Sequence, residues 1–166
     1  MVNSNAMEAS GDHYQFGSWA DRVQNFAKDL THRFLVDPSK IDGFKFIERR
    51  AIPDDNHHFI DYFSDVSNEQ VVIAVTLKEH QSIAEAHEHL KYALMHSMAP
   101  NLPFLEEDDV SIVGDIGFGG HGEVERAVFF TRANLMITVE SVGDVEVDVL
   151  EFVKKIDEQI VSCLNS

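Results

Sequence analysis

Apolar residues follow two rhythms along this chain. Trp19, Val23, Phe26, Leu30 and Phe34 recur at intervals of three and four, the period of a helix with one buried stripe. Ser18 stands before them as an N-cap, and Asp21 takes the third position of a weak capping box. Asp37-Pro38 ends this helix, because a residue before proline avoids the α region. Ile83, Ala86, His87, Leu90, Leu94 and Met98 repeat the pattern after Ser82, until Pro100 and Pro103 break it. Val149, Phe152, Val153, Ile156, Ile160 and Leu164 carry it a third time, from Asp148 towards the C-terminus, after the turn formers Gly143 and Asp144.

The other rhythm is that of strands. Phe44 to Ile52, His57 to Asp65 and Gln70 to Leu77 are separated by Pro53-Asp54-Asp55-Asn56 and Ser67-Asn68-Glu69, both rich in turn formers, which predicts an antiparallel meander. The third run is so uniformly apolar and β-branched that it suits a central strand covered on both faces. After an acidic turn, Glu106-Glu107-Asp108-Asp109, three more strands are expected: Val110 to Ile116, Glu123 to Thr131 and Asn134 to Glu140. A glycine-rich loop joins the first pair, and Arg132-Ala133 joins the second.

The predicted order is α-βββ-α-βββ-α. It corresponds to an α+β fold in which a six-stranded, mostly antiparallel sheet packs with three helices, so that the apolar side of each element is covered without a further layer. The two βββα halves share an outline but no residue-level repeat. Residues 16–166 are read as one domain and residues 1–15 as a disordered or vector-derived segment, the first six of them resembling an expression scar that ends in Ser4-Asn5-Ala6 before Met7.

Composition narrows the choice of partners. The chain has 166 residues, 44% hydrophobic and 25% charged, with 29 acidic residues against 13 Lys plus Arg and a formal charge of -16. Such a surface repels phosphate backbones and anionic membranes, so nucleic acid is not an expected partner. No apolar run approaches the roughly 20 residues of a membrane span, and the polar N-terminus has no apolar core for a signal peptide. As written the chain reads as cytoplasmic, although a removed export signal is compatible with it.

The candidate chemistry is dispersed. Gly117-Phe118-Gly119-Gly120-His121-Gly122 could turn backbone N–H groups towards an anion. A phosphate loop needs a helix directly after its glycines, whereas a strand follows here, and a flexible hairpin loop is the simpler reading. Gly119, Gly120 and His121 remain ligand-contact candidates at its tip. In Ala86-His87-Glu88-His89 the two histidines point about 200° apart around a helix and cannot share an ion. Glu85 and His89 stack one turn apart and would need donors from elsewhere in the fold. His57 and His58 begin a strand and face opposite ways, and Asp61 is too distant to pair with His57. His80 joins the candidates, since His80 and Glu79 precede the second helix and could contribute to a site with His121 if the fold brings them together.

Arg132, in an acidic protein, must meet a carboxylate or face an anion; a salt bridge is the plainer expectation. The single cysteine, Cys163, lies among helical core positions. No Gly-x-Ser-x-Gly elbow or calcium-loop spacing is present, so no catalytic residue, metal or cofactor is assigned.

The element order is similar to that of the PsbP-like α/β/α sandwich. More locally, Gly114-Asp115, the run Phe129 to Val139 and the run Val149 to Asp157 resemble the closing half of uncharacterised bacterial proteins. This resemblance implies a binding or assembly factor without catalysis. Because no nucleophile, base or metal constellation survives the helix and strand geometry above, the leading expectation is a non-enzymatic binding or accessory module with a protein or small-molecule partner, and the resemblance adds slightly to it. Tyr62, Phe63, Phe118 and Phe129 would form its contact patch. The alternative is a small metal-dependent or histidine-based hydrolase assembled from dispersed His and acidic residues. A homodimer sealed through an edge strand is compatible with either.

Overall fold

A computed structural model describes residues 28–97, 102–107, 110–121 and 124–166, apart from the side chains of 121, 124 and 125. Six strands form one sheet: β1 (Phe44–Ala51), β2 (His58–Asp65), β3 (Val72–Glu79), β6 (Ile116–His121), β7 (Val124–Arg132) and β8 (Leu135–Ser141). Their order is β1-β2-β3-β8-β7-β6, with every neighbouring pair antiparallel. Helix α1 (Leu30–Arg33) and a 3-10 turn (Pro38–Lys40) precede the first three strands. Helix α2 (Ile83–Met95) separates the two halves, and α3 (Leu150–Leu164) closes the chain. The ribbon of β4 (Glu106–Glu107) and β5 (Val110–Ser111) stands apart from the sheet. The fold is α+β with the expected order of helices and sheet strands.

Two hydrophobic cores lie on opposite faces of this sheet. On one, Phe63, Ile73, Val75, Leu77, Val128, Phe130, Ile137 and Val139 meet Val153, Ile156 and Ile160 of α3, together with Leu30 and Phe34. On the other, Leu90 and Leu94 of α2 meet Ile116, Phe118, Phe129 and Met136. The helical spacing of three and four gives each helix one apolar side, and the two-residue alternation of the strands supplies both receiving surfaces. Ser82 caps α2, its hydroxyl accepting from the Glu85 N–H at 3.1 Å, while Glu85 Oε2 accepts from the Gln81 N–H at 3.2 Å. This resembles a capping box, with the Glu85 carboxylate reaching back to the N–H of the residue before the cap instead of to that of Ser82 itself.

Several expectations are corrected by these contacts. β3 is central, but α2 packs on β7 and β8, so Val72, Thr76 and Lys78 on the α2 face of β3 are only partly buried. Asp29, at the N-cap of α1, is left-handed at φ 54°, so the helix does not run upstream through it; residues 18–27 of the expected first helix lie outside the described residues. Met98 of the second helix also lies outside them.

The glycine-rich segment is itself a strand. Phe118 pairs with Phe129 and Gly119 with Val128, whereas the expected strand from Val110 supplies only Val110–Ser111 to the β4–β5 ribbon. The outer side of β6 is lined by the preceding segment: Leu105 N–H donates to Gly117 O at 2.8 Å, and Gly119 N–H to Pro103 O at 3.3 Å. A side chain at Gly117 would place Cβ 2.8 Å from Val113 O, so the glycine permits a close backbone approach. The proposed aromatic patch is absent for a related reason: Phe63 lies inside the α3-face core, and Phe118 and Phe129 inside the α2-face core.

Buried charges tie the remaining segments to the sheet. Arg49 donates through Nε and Nη2 to fully buried Asp61 at 2.6 and 2.8 Å, and reaches the carbonyls of Thr31 and Phe34 at 3.0 Å each. Arg132 forks onto Asp157 of α3 at 2.9 and 2.7 Å, and its Nη1 reaches Asp115 at 3.1 Å. Asp157 also accepts from Gly114 N–H at 2.8 Å. Gly114 is left-handed at φ 66°, and an added Cβ would lie 2.4 Å from Thr131 O. Gly114→Ala is therefore expected to cost about 3 kcal/mol through backbone strain and overpacking, read as a lowered midpoint in urea denaturation.

Candidate functional site

Strand alternation sends neighbouring residues to opposite sides of the sheet, and at one end of β2 and β3 that rule separates two groups of histidines. His57, just before β2, and Glu79, the last residue of β3, exchange a backbone bond of 2.9 Å and face the α3 side. His58 pairs in register with Lys78, and these two face the α2 side together with His80. His32 of α1 then meets His57, with ring centroids 4.9 Å apart, and His89 of α2 meets His80 at 5.0 Å. Five of the nine histidines thus gather at one end of the sheet.

On the α3 side, the Glu79 carboxylate is buried and caps α1: Oε2 accepts from Asp29 N–H at 2.9 Å and Oε1 from Thr31 N–H at 3.1 Å. His57 Nδ1 lies 3.7 Å from Glu79 Oε2 and 3.4 Å from Thr31 Oγ1. Asp29, His57 and Glu79 each bring one donor atom into a group whose members lie within 4.8 Å of one another.

On the α2 side, His80 Nε2 and His89 Nδ1 are 2.8 Å apart, close enough for one ring to donate to the other and for a single proton to be held between them. His80 Nδ1 is 3.9 Å from Glu85 Oε2. His80 is the donor from elsewhere that Glu85 and His89 lacked in the sequence. Its backbone is clasped by buried Asn134, whose side-chain Nδ2 donates to His80 O at 2.7 Å and whose backbone carbonyl accepts from His80 N–H at 2.9 Å. Burial, then the neighbouring His89, depress the His80 pKa to about 4. Burial also lowers His58, His87 and His89. Lys78 forms an ion pair with Asp55 beside this cluster.

A separate groove of about 610 Å³ opens further along the α2 face. Ala127, Phe129 and Val142 floor it, Ala93 of α2 and His96 just after that helix form one wall, and Arg126, Glu140 and Glu146 line it with charge. Arg126 pairs with Glu146.

The other sequence candidates are dispersed. Gly119 is buried in β6, Gly120 takes φ 112° where the β6–β7 register shifts, and His121 ends that strand with its side chain outside the described residues. His121 pairs with Val124, eight residues along β7 from Arg132 and thus roughly 26 Å from the sheet end that carries His80. His80 and His121 do not converge. Arg132 is held between Asp115 and Asp157. Cys163 is half-buried at the edge of the α3-face core. Asp29 and Glu79 were missed as partners of His57, because strand spacing reveals which face a residue takes but not which loop crosses that face.

No family model matches the chain, and comparison with curated proteins and with solved structures returns no match. No helix among the described residues is long and apolar enough to cross a membrane.

The depressed histidines link stability to pH. In the unfolded chain these imidazoles bind protons near 6.5, whereas in the folded state they stay neutral to lower pH. Their contribution is complete above 6.5 and declines as pH falls towards about 4. The largest of these shifts is that of His80, which lies against His89. Asp115, raised chiefly by burial, acts in the opposite sense within the carboxylate range. Urea denaturation across this window should show stability falling with acidification, and His80→Gln should flatten the slope. A flat wild-type profile contradicts the assignment.

Proposed function

We propose that this chain is a non-enzymatic binding module that receives its ligand in the groove on the α2 face. The observation that carries this reading is the groove's combination of size and lining. About 610 Å³ falls within the ordinary range of small-molecule sites, which combine an apolar floor with a few convergent polar groups. Ala127, Phe129 and Val142 supply the floor, while Ser97, Ser141, Glu140 and the Arg126–Glu146 pair supply the polar rim. Its two carboxylates, in a protein of charge -16, favour a ligand with an apolar body and a cationic or hydrogen-bond-donating head. The resemblance in element order to PsbP-like proteins supports the same class of role. The alternative, a metal-dependent hydrolase, is favoured by one observation, the gathering of Asp29, His57 and Glu79.

Ligand-observed NMR with small amphipathic amines and short peptides tests the proposal. Binders of the wild-type protein should weaken by roughly tenfold or more on Ala93→Trp, which fills the groove from α2. Binding that is indifferent to this substitution, or chemical conversion of the binders by the wild-type protein, contradicts it.

A further inference from the structure

We propose that Asp29, His57 and Glu79 form a binding site for a divalent first-row transition ion, with Zn²⁺ as the probe that best suits one imidazole and two carboxylates. The site lies on the α3 face, across the sheet from the groove, and stands independently of the ligand assigned there.

Its geometry is close to that of a bound ion. Bonds of about 2 Å hold donors roughly 3 to 4 Å apart, and His57 Nδ1 lies 3.7 Å from Glu79 Oε2. The three donors lie within 4.8 Å of one another, and Asp29 is exposed, which leaves its side chain room to turn towards an ion. Capping α1 does not exhaust Glu79, since each carboxylate oxygen has a second lone pair beyond the one that accepts the backbone N–H. Asp29 also joins two parts of the structure: its left-handed backbone starts α1, and its N–H is already tied to Glu79. An ion here would fasten the start of α1 to the ends of β2 and β3, with His32 forming a wall at the edge of the site.

The other histidine group is less suited. His80 and His89 are in direct contact at 2.8 Å, and an ion between them would have to displace the proton and spread the rings.

The test is a titration of chelator-treated full-length protein with Zn²⁺ near neutral pH, against a chromophoric competitor, with circular dichroism as a check on folding. Wild type should take up one ion per chain at micromolar affinity or tighter, with a raised melting temperature. Asp29→Asn, a surface change, and His57→Ala should each weaken uptake by roughly tenfold or more, and His89→Ala should leave it unchanged. Absence of uptake by wild type, retention of full affinity in folded Asp29→Asn or His57→Ala protein, or a loss confined to His89→Ala would overturn the proposal.

Discussion

The structure depends on the two-residue alternation of a single antiparallel sheet that serves as the shared wall of two cores. Shifting β3 by one position would exchange Ile73, Val75 and Leu77, which belong to the α3-face core, for Ala74, Thr76 and Lys78, which do not. The same rule acts at the sheet's end, where it separates His57 and Glu79 from His58, Lys78 and His80. The two histidine groups therefore lie back to back, one beside α1 and the other beside α2.

An acidic protein is expected to keep its carboxylates in water, yet this one buries Asp61, Glu79 and Asp157. Each has a definite partner: a guanidinium for Asp61, a guanidinium with a glycine N–H for Asp157, and two backbone N–H groups for Glu79. Buried charge without such partners would be strongly destabilising. These contacts are also the places where a segment outside the sheet is docked. Asp61 acts through Arg49 on the carbonyls of Thr31 and Phe34, Glu79 holds the start of α1, and Asp157 joins α3 to the β7–β8 turn.

Much of this fold was legible in the sequence because its signals are periodic. α2 and α3 follow their apolar stripes, Ser82 is the expected cap, and β1, β2, β3, β7 and β8 fall near their predicted bounds. β6 was obscured because glycine has no side chain with which to alternate, and the reason for glycine at 117, the nearness of Val113, exists only in three dimensions. The candidate sites were legible only in part. His80 was singled out, and Glu85 and His89 were placed on one helix face, but their meeting depends on how α2 leaves β3 and on the clasp of Asn134. The union of Asp29 with Glu79 spans fifty positions and relies on a backbone contact that no spacing reports.

The division into two cores bears on how mutational effects combine. Leu90 and Ile156 belong to separate clusters with the sheet between them, so cavities opened at the two positions share no lining residue through which one could relax the other. Their thermodynamic penalties should sum, and a departure from additivity would mean that the sheet transmits deformation from one side to the other instead of insulating the two interiors.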